Sequence, residues 1–482
     1  MDDLERLKSG VPGLDLILGG GMVVGSSYIV QGRPGSGKTI LANQIAFHQA
    51  EQGHKILFAT FLAESHERLF QFLSTLSFFD PGHVGTNIQF VSALDAIETD
   101  GLAEVVTLLR REIGRQKSTL LIVDGMTNIQ PRDGGLLDGK RFIAGLQAHA
   151  SFAGCTVLFL TNSRIGEDSP ELTMVDGIIE MGEDLIGSRS VRRIQLRKTR
   201  GSAALSGLHE LEITSDGITI HPRLEAVFNY PSIADSVVGG TGRLESGIPT
   251  LDEMVGGGLP RASSTLMLGP SGCGKTTMGL AFLQSCTPQE PGILFGLYET
   301  PSRLMLKARS VGMALQPLVE SGALHLVWQP PTERLLDALG HRLLDAVRTT
   351  GAKRVFIDSL SAIARSATIP GRSVAFFTSL MNELRARDVL VLASWEMREL
   401  FGGDLQTPTP ELSGVMDNLL LMRFLELRAE LRRVVSVLKV RDSAYDPSLR
   451  ELVITDTGVA LTKTLDQVAA IMSGSAQPPG HR

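Results

Sequence analysis

Short, almost uninterrupted apolar runs recur along the chain at Tyr28–Val30, Ile56–Ala59, Leu120–Val123 and Val157–Leu160, and again in a second series that includes Leu266–Leu268. Runs of this length without polar alternation fit strands buried on both faces. The segments between them are long enough for helices. Apolar pairs four apart, such as Leu41 with Ile45 and Met278 with Phe282, place one side of a helix against a core. Strand and helix in alternation predict a mainly parallel sheet with helices on both faces, an α/β architecture.

The series comes round twice because the chain repeats itself. RLKSGVPGLDLILGGG (Arg6–Gly21) returns as RLESGIPTLDEMVGGG (Arg243–Gly258), and GRPGSGKT (Gly32–Thr39) returns as GPSGCGKT (Gly269–Thr276), both at an offset of 237 residues. Further on, TLLIVDG (Thr119–Gly125) faces RVFIDS (Arg354–Ser359), and RKTRGS (Arg197–Ser202) faces LKVRDS (Leu438–Ser443). Solenoid units run to only about 20–50 residues, so the longer period predicts two tandem domains. The strand-like ELEITSDGITIHPR ends near Arg223, and Pro231, Ser232, Gly239 and Gly240 read as a linker. The expected division is 1–235 and 236–472, with 473–482, SGSAQPPGHR, as a flexible tail.

Composition narrows the class. Of 482 residues, 43% are apolar and 20% charged, as in an ordinary folded protein. A net charge of −6 argues against indiscriminate binding to polyanions. The three cysteines, Cys155, Cys273 and Cys286, have no metal-site spacing, which points away from zinc and from a disulfide framework. The opening MDDLERLKSG is acidic where a signal peptide is basic, and no apolar run reaches the length of a membrane span. A soluble, cytoplasmic protein is the expectation.

The repeated glycine loops carry candidate chemistry. G-x-x-x-x-G-K-[ST] between a strand and a helix turns successive backbone N–H groups onto a phosphate, brings a lysine to its outer oxygens and offers a hydroxyl to Mg²⁺. In the first copy these are Gly32, Gly35, Ser36, Gly37, Lys38 and Thr39; in the second, Gly269, Ser271, Gly272, Cys273, Gly274, Lys275, Thr276 and Thr277. Two matches in register predict ATP with Mg²⁺ as the cofactors. Asp124 and Asp358 each close an apolar run, where a carboxylate can hold the metal's water shell with Thr39 and Thr276, or else cap the next helix. Glu64 and Glu299 follow the next strand, as a base acting on water or a hydroxyl would, or as solvated helix caps. Lys198 with Arg200, and Lys439 with Arg441, are cation pairs spaced for one face of a strand; they can clamp a γ-phosphate or simply solvate an edge. Arg192 and Arg193, matched by Arg432 and Arg433, enlarge the basic stretch, but no aromatics are interleaved for stacking on nucleic acid.

SGVPGLD and SGIPTLD, the glycine triplets, both phosphate loops, IDSLSAIAR (Ile357–Arg365) and LKVRDSAYD (Leu438–Asp446) resemble the KaiC family of double-domain RecA-like ATPases. The likeness runs from about Leu4 to Gly474. It implies a homohexamer of two stacked rings with ATP between neighbouring subunits, with Lys198, Arg200, Lys439 and Arg441 acting on the neighbour's nucleotide. It also implies slow hydrolysis in the first domain, a serine autokinase and autophosphatase in the second, and a regulatory or signalling protein partner. Clock members of the family carry two adjacent glutamates after the second strand, the first serving as base; the matching residues here are Ala63-Glu64 and Tyr298-Glu299. Their adjacent Ser and Thr acceptors are matched by Ser443 and Ala444, which leaves Ser443 as the acceptor candidate, or as a plain turn serine. The tail is also shorter than theirs. The expected function is a nucleotide-driven signalling timer or stress-response switch. The alternatives are a RecA- or DnaB-like nucleic-acid motor and a nucleotide-gated scaffold with little turnover.

Overall fold

The computed structural model describes residues 4–61, 66–93, 101–125, 137–162, 173–229, 242–397, 410–427, 430–441 and 443–462. The chain divides into two compact units, Met1–Val227 and Phe228–Arg482. The cut expected near residue 235 and the tail 473–482 lie outside the described residues.

In the first unit β1 (Arg6–Leu7) pairs with β2 (Met22–Val23) as a small ribbon. The main sheet contains β3 (Ser27–Gln31), β4 (Ile56–Thr60), β5 (Ile88–Ser92), β6 (Leu120–Asp124), β7 (Thr156–Thr161), β8 (Gly177–Ile186), β9 (Arg189–Thr199), β10 (Leu208–Thr214) and β11 (Gly217–His221). Its order is β5-β4-β6-β7-β3-β8-β9-β10-β11. Pairing is parallel from β5 through β8 and antiparallel beyond.

The second unit repeats the plan. β12 (Arg243–Leu244) pairs with β13 (Leu259–Pro260). Its main sheet contains β14 (Ser264–Gly269), β15 (Gly292–Gly296), β16 (Leu324–Trp328), β17 (Arg354–Asp358), β18 (Leu390–Glu396), β19 (Asn418–Leu427), β20 (Glu430–Val440), β21 (Arg450–Thr455) and β22 (Gly458–Leu461). The order β16-β15-β17-β18-β14-β19-β20-β21-β22 matches the first sheet strand for strand. The expected α/β fold, two tandem RecA-like domains each built on a mainly parallel sheet, is the fold found.

The apolar runs behave as doubly buried strands. Tyr28, Val30, Ile56, Phe58, Leu120 and Ile122 enter one core with Leu41, Ile45 and Phe47 of the helix Lys38–Glu51. Their neighbours Ile29, Leu57, Ala59, Leu121 and Val123 enter another core, with Leu109 of Leu102–Gln116 and Phe142 of Leu137–Phe152. The period of two along each strand thus divides the residues between two helical layers. Truncating a side chain as buried as Phe159 to alanine costs about 3–5 kcal/mol. Among the described residues no helix is long and apolar enough to cross a membrane.

Candidate functional site

Both glycine loops sit where β3 and β14 hand over to the helices beginning at Lys38 and Lys275. Gly37 and Gly274 adopt φ 99° and 105° at the helix starts, a region that side-chain-bearing residues disfavour. At the other end of each loop, a Cβ on Gly32 would fall 2.3 Å from the Met181 carbonyl oxygen, and one on Gly269 2.5 Å from that of Met422. The loops therefore need glycine for both conformation and close approach, and the N–H groups of the first helical turn are left to face an anion. Lys38 Nζ donates to the carbonyls of Gly32 (2.8 Å) and Arg33 (3.0 Å), and Lys275 Nζ to those of Gly269 (2.8 Å) and Pro270 (2.6 Å). Burial lowers the Lys38 pKa below the ordinary lysine range, and the charge of Asp124 opposes that shift.

The carboxylates at the ends of β6 and β17 meet the loop hydroxyls. Thr39 Oγ1 donates to Asp124 (3.0 Å) and Thr276 Oγ1 to Asp358 (2.7 Å), while Ser394 Oγ donates to the other Asp358 oxygen at 2.5 Å. A hydroxyl beside a carboxylate is an all-oxygen donor set, which suits a hard cation such as Mg²⁺.

In the second unit these groups line a cleft of about 350 Å³ that also takes in Tyr298, Glu299, Glu396 and Arg433. Glu299 Oε1 is ion-paired with Lys307 Nζ at 3.0 Å. The Tyr298 hydroxyl accepts from Arg365, whose guanidinium lies 5.7 Å from the ring centroid. Arg433 Nε donates to the Gly272 carbonyl at 3.1 Å. In the first unit Glu64 and Ala63 lie outside the described residues. Thr60 pairs with Asp124 and Gly296 with Asp358, so Glu299 is the third residue past its strand and Glu64 the fourth.

The cation pairs stand at the opposite ends of the strands, near the starts of β3 and β14. Asp176 Oδ2 accepts from the N–H (3.0 Å) and hydroxyl (3.2 Å) of Ser27, the first residue of β3, while its Oδ1 lies 3.7 Å from Arg200. Lys198 and Arg200 both donate to the Thr173 carbonyl, at 3.3 and 3.2 Å. In the second unit Asp417 Oδ2 accepts from the Ser264 N–H (2.9 Å) and from Arg385 (2.8 Å), and its Oδ1 lies 3.2 Å from Arg441. Lys439 donates to Ser413 and Met416, both at 2.8 Å, and Arg441 to Gly414 at 2.8 Å. The phosphate loop begins only after the far end of the five-residue β3, about 16 Å away. Burial and then the adjacent arginine hold Lys198 and Lys439 below the ordinary lysine pKa.

A β-bulge accompanies each pair. Lys198 opposes Ile178 and Leu196 opposes Ile179, leaving Arg197 as the extra residue; Lys439 opposes Leu419 and Val437 opposes Leu420, leaving Leu438. Farther along β9, Arg192 and Arg193 pair with Glu183 and Asp184, and Arg432 with Glu430 and Glu451. Acids on neighbouring positions thus offset most of this basic stretch.

Ser443 and Ser202 occupy matching places after the clamps but differ in bonding. Ser202 Oγ donates to the Leu18 carbonyl and accepts from Arg6 at 3.1 Å. Arg243, the counterpart of Arg6, turns to the carbonyls of Val255 (2.8 Å) and Gly258 (2.6 Å), and the inward-facing Ser443 Oγ has no hydrogen-bond partner among the described residues. Ala444 is exposed beside it.

Sequence reasoning missed Asp176, Asp417, Lys307, Ser394 and Glu396. The two aspartates recur just before matching apolar runs, and Glu396 ends an apolar run just as Asp358 does, so the repeat could have found the first two and the strand-end rule the third. Lys307 and Ser394 left no such signal.

A family model described as "ATPase: KaiC" matches residues 7–225 and again 244–466. The circadian clock oscillator protein KaiC of Rippkaea orientalis is 27% identical, the alignment covering 98% of this chain and 91% of that protein. The protein of the same name from Picosynechococcus is 27% identical with 98% and 92% covered, and KaiC 1 of Synechocystis 26% with 98% and 92%.

Proposed function

Because the chain belongs to the KaiC family of ATPases, we propose that it is an ATP-driven switch built as a homohexamer of two stacked rings, with a serine autokinase in the second domain acting on Ser443. The observation that carries this reading is the separation of each cation pair from its own phosphate loop by the length of a strand. Lys198 with Arg200, and Lys439 with Arg441, therefore serve a nucleotide bound by a neighbouring subunit. During transfer negative charge builds on the β,γ-bridging oxygen of the leaving ADP while the γ-phosphoryl group keeps charge on its three equatorial oxygens, and a lysine and arginine supplied in trans stabilise that charge only when the ring is assembled.

Within a subunit Lys38 and Lys275 neutralise the outer phosphates, and the helix-start N–H groups cradle them. Mg²⁺, when bound through Thr39 with Asp124 and Thr276 with Asp358, supplies further charge neutralisation on the phosphate oxygens. Among the described residues no hydrogen bond holds the Ser443 hydroxyl, which supports its role as acceptor once the side chain turns outward from its buried position. The ring state would be read by a protein partner as the output of a timer or stress-response signal in the cytoplasm.

Intact-mass spectrometry after incubation with Mg·ATP, run with a phosphate-release assay on wild type and Ser443→Ala, tests the proposal. A gain of one phosphate that the variant loses supports the autokinase. Phosphate release without a mass gain reduces the protein to an ATPase switch. A second reading, a nucleotide-gated scaffold, draws on the ion pair that occupies Glu299; ATP binding with neither release nor mass gain would favour it.

A further inference from the structure

The family's usual base position is held by Tyr298, and its neighbour Glu299 is neutralised by Lys307 at 3.0 Å. A carboxylate acting as a base must turn an oxygen toward the attacking water, and the Oε1 of Glu299 is instead directed at Lys307. Glu396 is in a different situation. It lines the same cleft as Lys275, Thr276 and Asp358, and among the described residues it makes no ion pair.

The sheet order explains why this acid is well placed. β18 lies between β17, which ends in Asp358, and β14, which ends in the phosphate loop. Glu396 pairs directly with Gly269, and the N–H of Met397 donates to the Gly269 carbonyl at 3.0 Å. The same carbonyl accepts from Lys275 Nζ, which ties the end of β18 to the phosphate-loop lysine through a single oxygen. Glu299 follows β15, three strands or roughly 14 Å across the sheet from β14, and reaches the same cleft from that side. Ser394, two residues before Glu396 and so on the same face, donates to Asp358, which identifies that face as the one turned to the metal-type carboxylate. In the first unit the register puts Leu160 and Asn162 at these two places, so no acid stands there.

We propose that Glu396 is the general base of the second unit, taking a proton from the water that attacks the γ-phosphorus of bound ATP. The proposal rests on the reading of this cleft as an ATP site. The new bond joins the water oxygen to phosphorus, and the bond from phosphorus to the β,γ-bridging oxygen breaks with its electron pair leaving on ADP. The proton moves to the Glu396 carboxylate and returns to solvent or to the released phosphate, so the residue is regenerated.

The test measures phosphate release by the full chain under saturating Mg·ATP for wild type, Lys275→Ala, Glu396→Gln and the double variant. Binding of a fluorescent ATP analogue is followed in parallel. Glu396→Gln should bind nucleotide but lose the whole Lys275-dependent part of the release, a drop of roughly 100-fold or more in that component. The double variant should fall no lower, and Glu396→Asp should restore part of the rate. A Lys275-dependent release that Glu396→Gln leaves intact would overturn this assignment alone. Release that Lys275→Ala does not lower would overturn the ATPase reading of the second unit, and the base assignment with it.

Discussion

The Thr276 hydroxyl donates to the Asp358 carboxylate across 2.7 Å, and the Thr39 and Asp124 pair reproduces the contact at 3.0 Å in the other copy. Each contact joins the first turn of the phosphate-loop helix to the end of a strand two places away in the sheet. If the pair holds Mg²⁺, Asp358→Asn should weaken Mg-dependent ATP binding in the second unit by roughly 10- to 100-fold. Titrating Mg²⁺ against a fluorescent ATP analogue checks this, and an unchanged midpoint would leave Asp358 as a purely structural acid, since Ser359 caps the helix that follows.

The distance between clamps and loops leads to a complementation test. Lys439→Ala combined with Arg441→Ala, and separately Lys275→Ala, should each silence the second domain in pure form. Mixed and reassembled rings should recover activity at about a quarter of their interfaces, by random pairing across a heterologous ring contact. Recovery depends on one subunit lending its clamp to another's nucleotide, so silent mixtures would place both functions within one subunit.

Alkaline pH should act on the same groups. Lys198 and Lys439 have pKa values below the ordinary 10.5 because burial and the neighbouring Arg200 or Arg441 disfavour their charged form. The charge is present at low pH and is lost as pH rises through the lowered value, so clamp-dependent phosphate release should decline before an ordinary lysine would titrate. Lys439→Arg should move the second domain's decline to higher pH. A profile that is the same for both proteins would remove the lysine from the rate-determining charge balance.

The thiols make a contrasting case. Cys155, Cys273 and Cys286 are free and buried, and burial raises all three pKa values, to about 12 for Cys155 and about 11 for Cys286. Native protein at neutral pH should react negligibly with a chromogenic disulfide reagent and yield three thiol equivalents after urea unfolding. Rapid labelling of one native thiol would show an opening that reaches it, and for Cys273 added nucleotide should then slow the labelling.

What could be read from the chain was what repeats and what is local. The apolar runs gave β3, β4, β6 and β7 to within one residue at each end, and the glycine spacing located both phosphate loops, because strand burial and positive φ impose residue types directly. Long-range pairing was harder. That Asp176 would bind Ser27, or that Lys307 would occupy Glu299, depends on which segments the sheet order brings together. Glu396 could be flagged as an acid at the end of an apolar run, but which strand-end acids face the phosphate loop follows only from the sheet order, which sets β18 beside β14.

The bulges at Arg197 and Leu438 act as half-turns in the chain. Leu196 and Val437, just before them, point into the cores that hold the phosphate-loop helices, and on a regular strand Lys198 and Lys439 would follow them there. One inserted residue in each copy instead rotates the lysine to the opposite face. Drawing Arg197 or Leu438 into a regular ladder without shortening the chain would turn the ammonium toward an apolar interior, whereas deleting either residue would leave each lysine opposite Ile178 or Leu419, on the face it already occupies. The unpaired residue at that one point, and not the identity of the cation alone, therefore decides whether a subunit has anything to offer its neighbour.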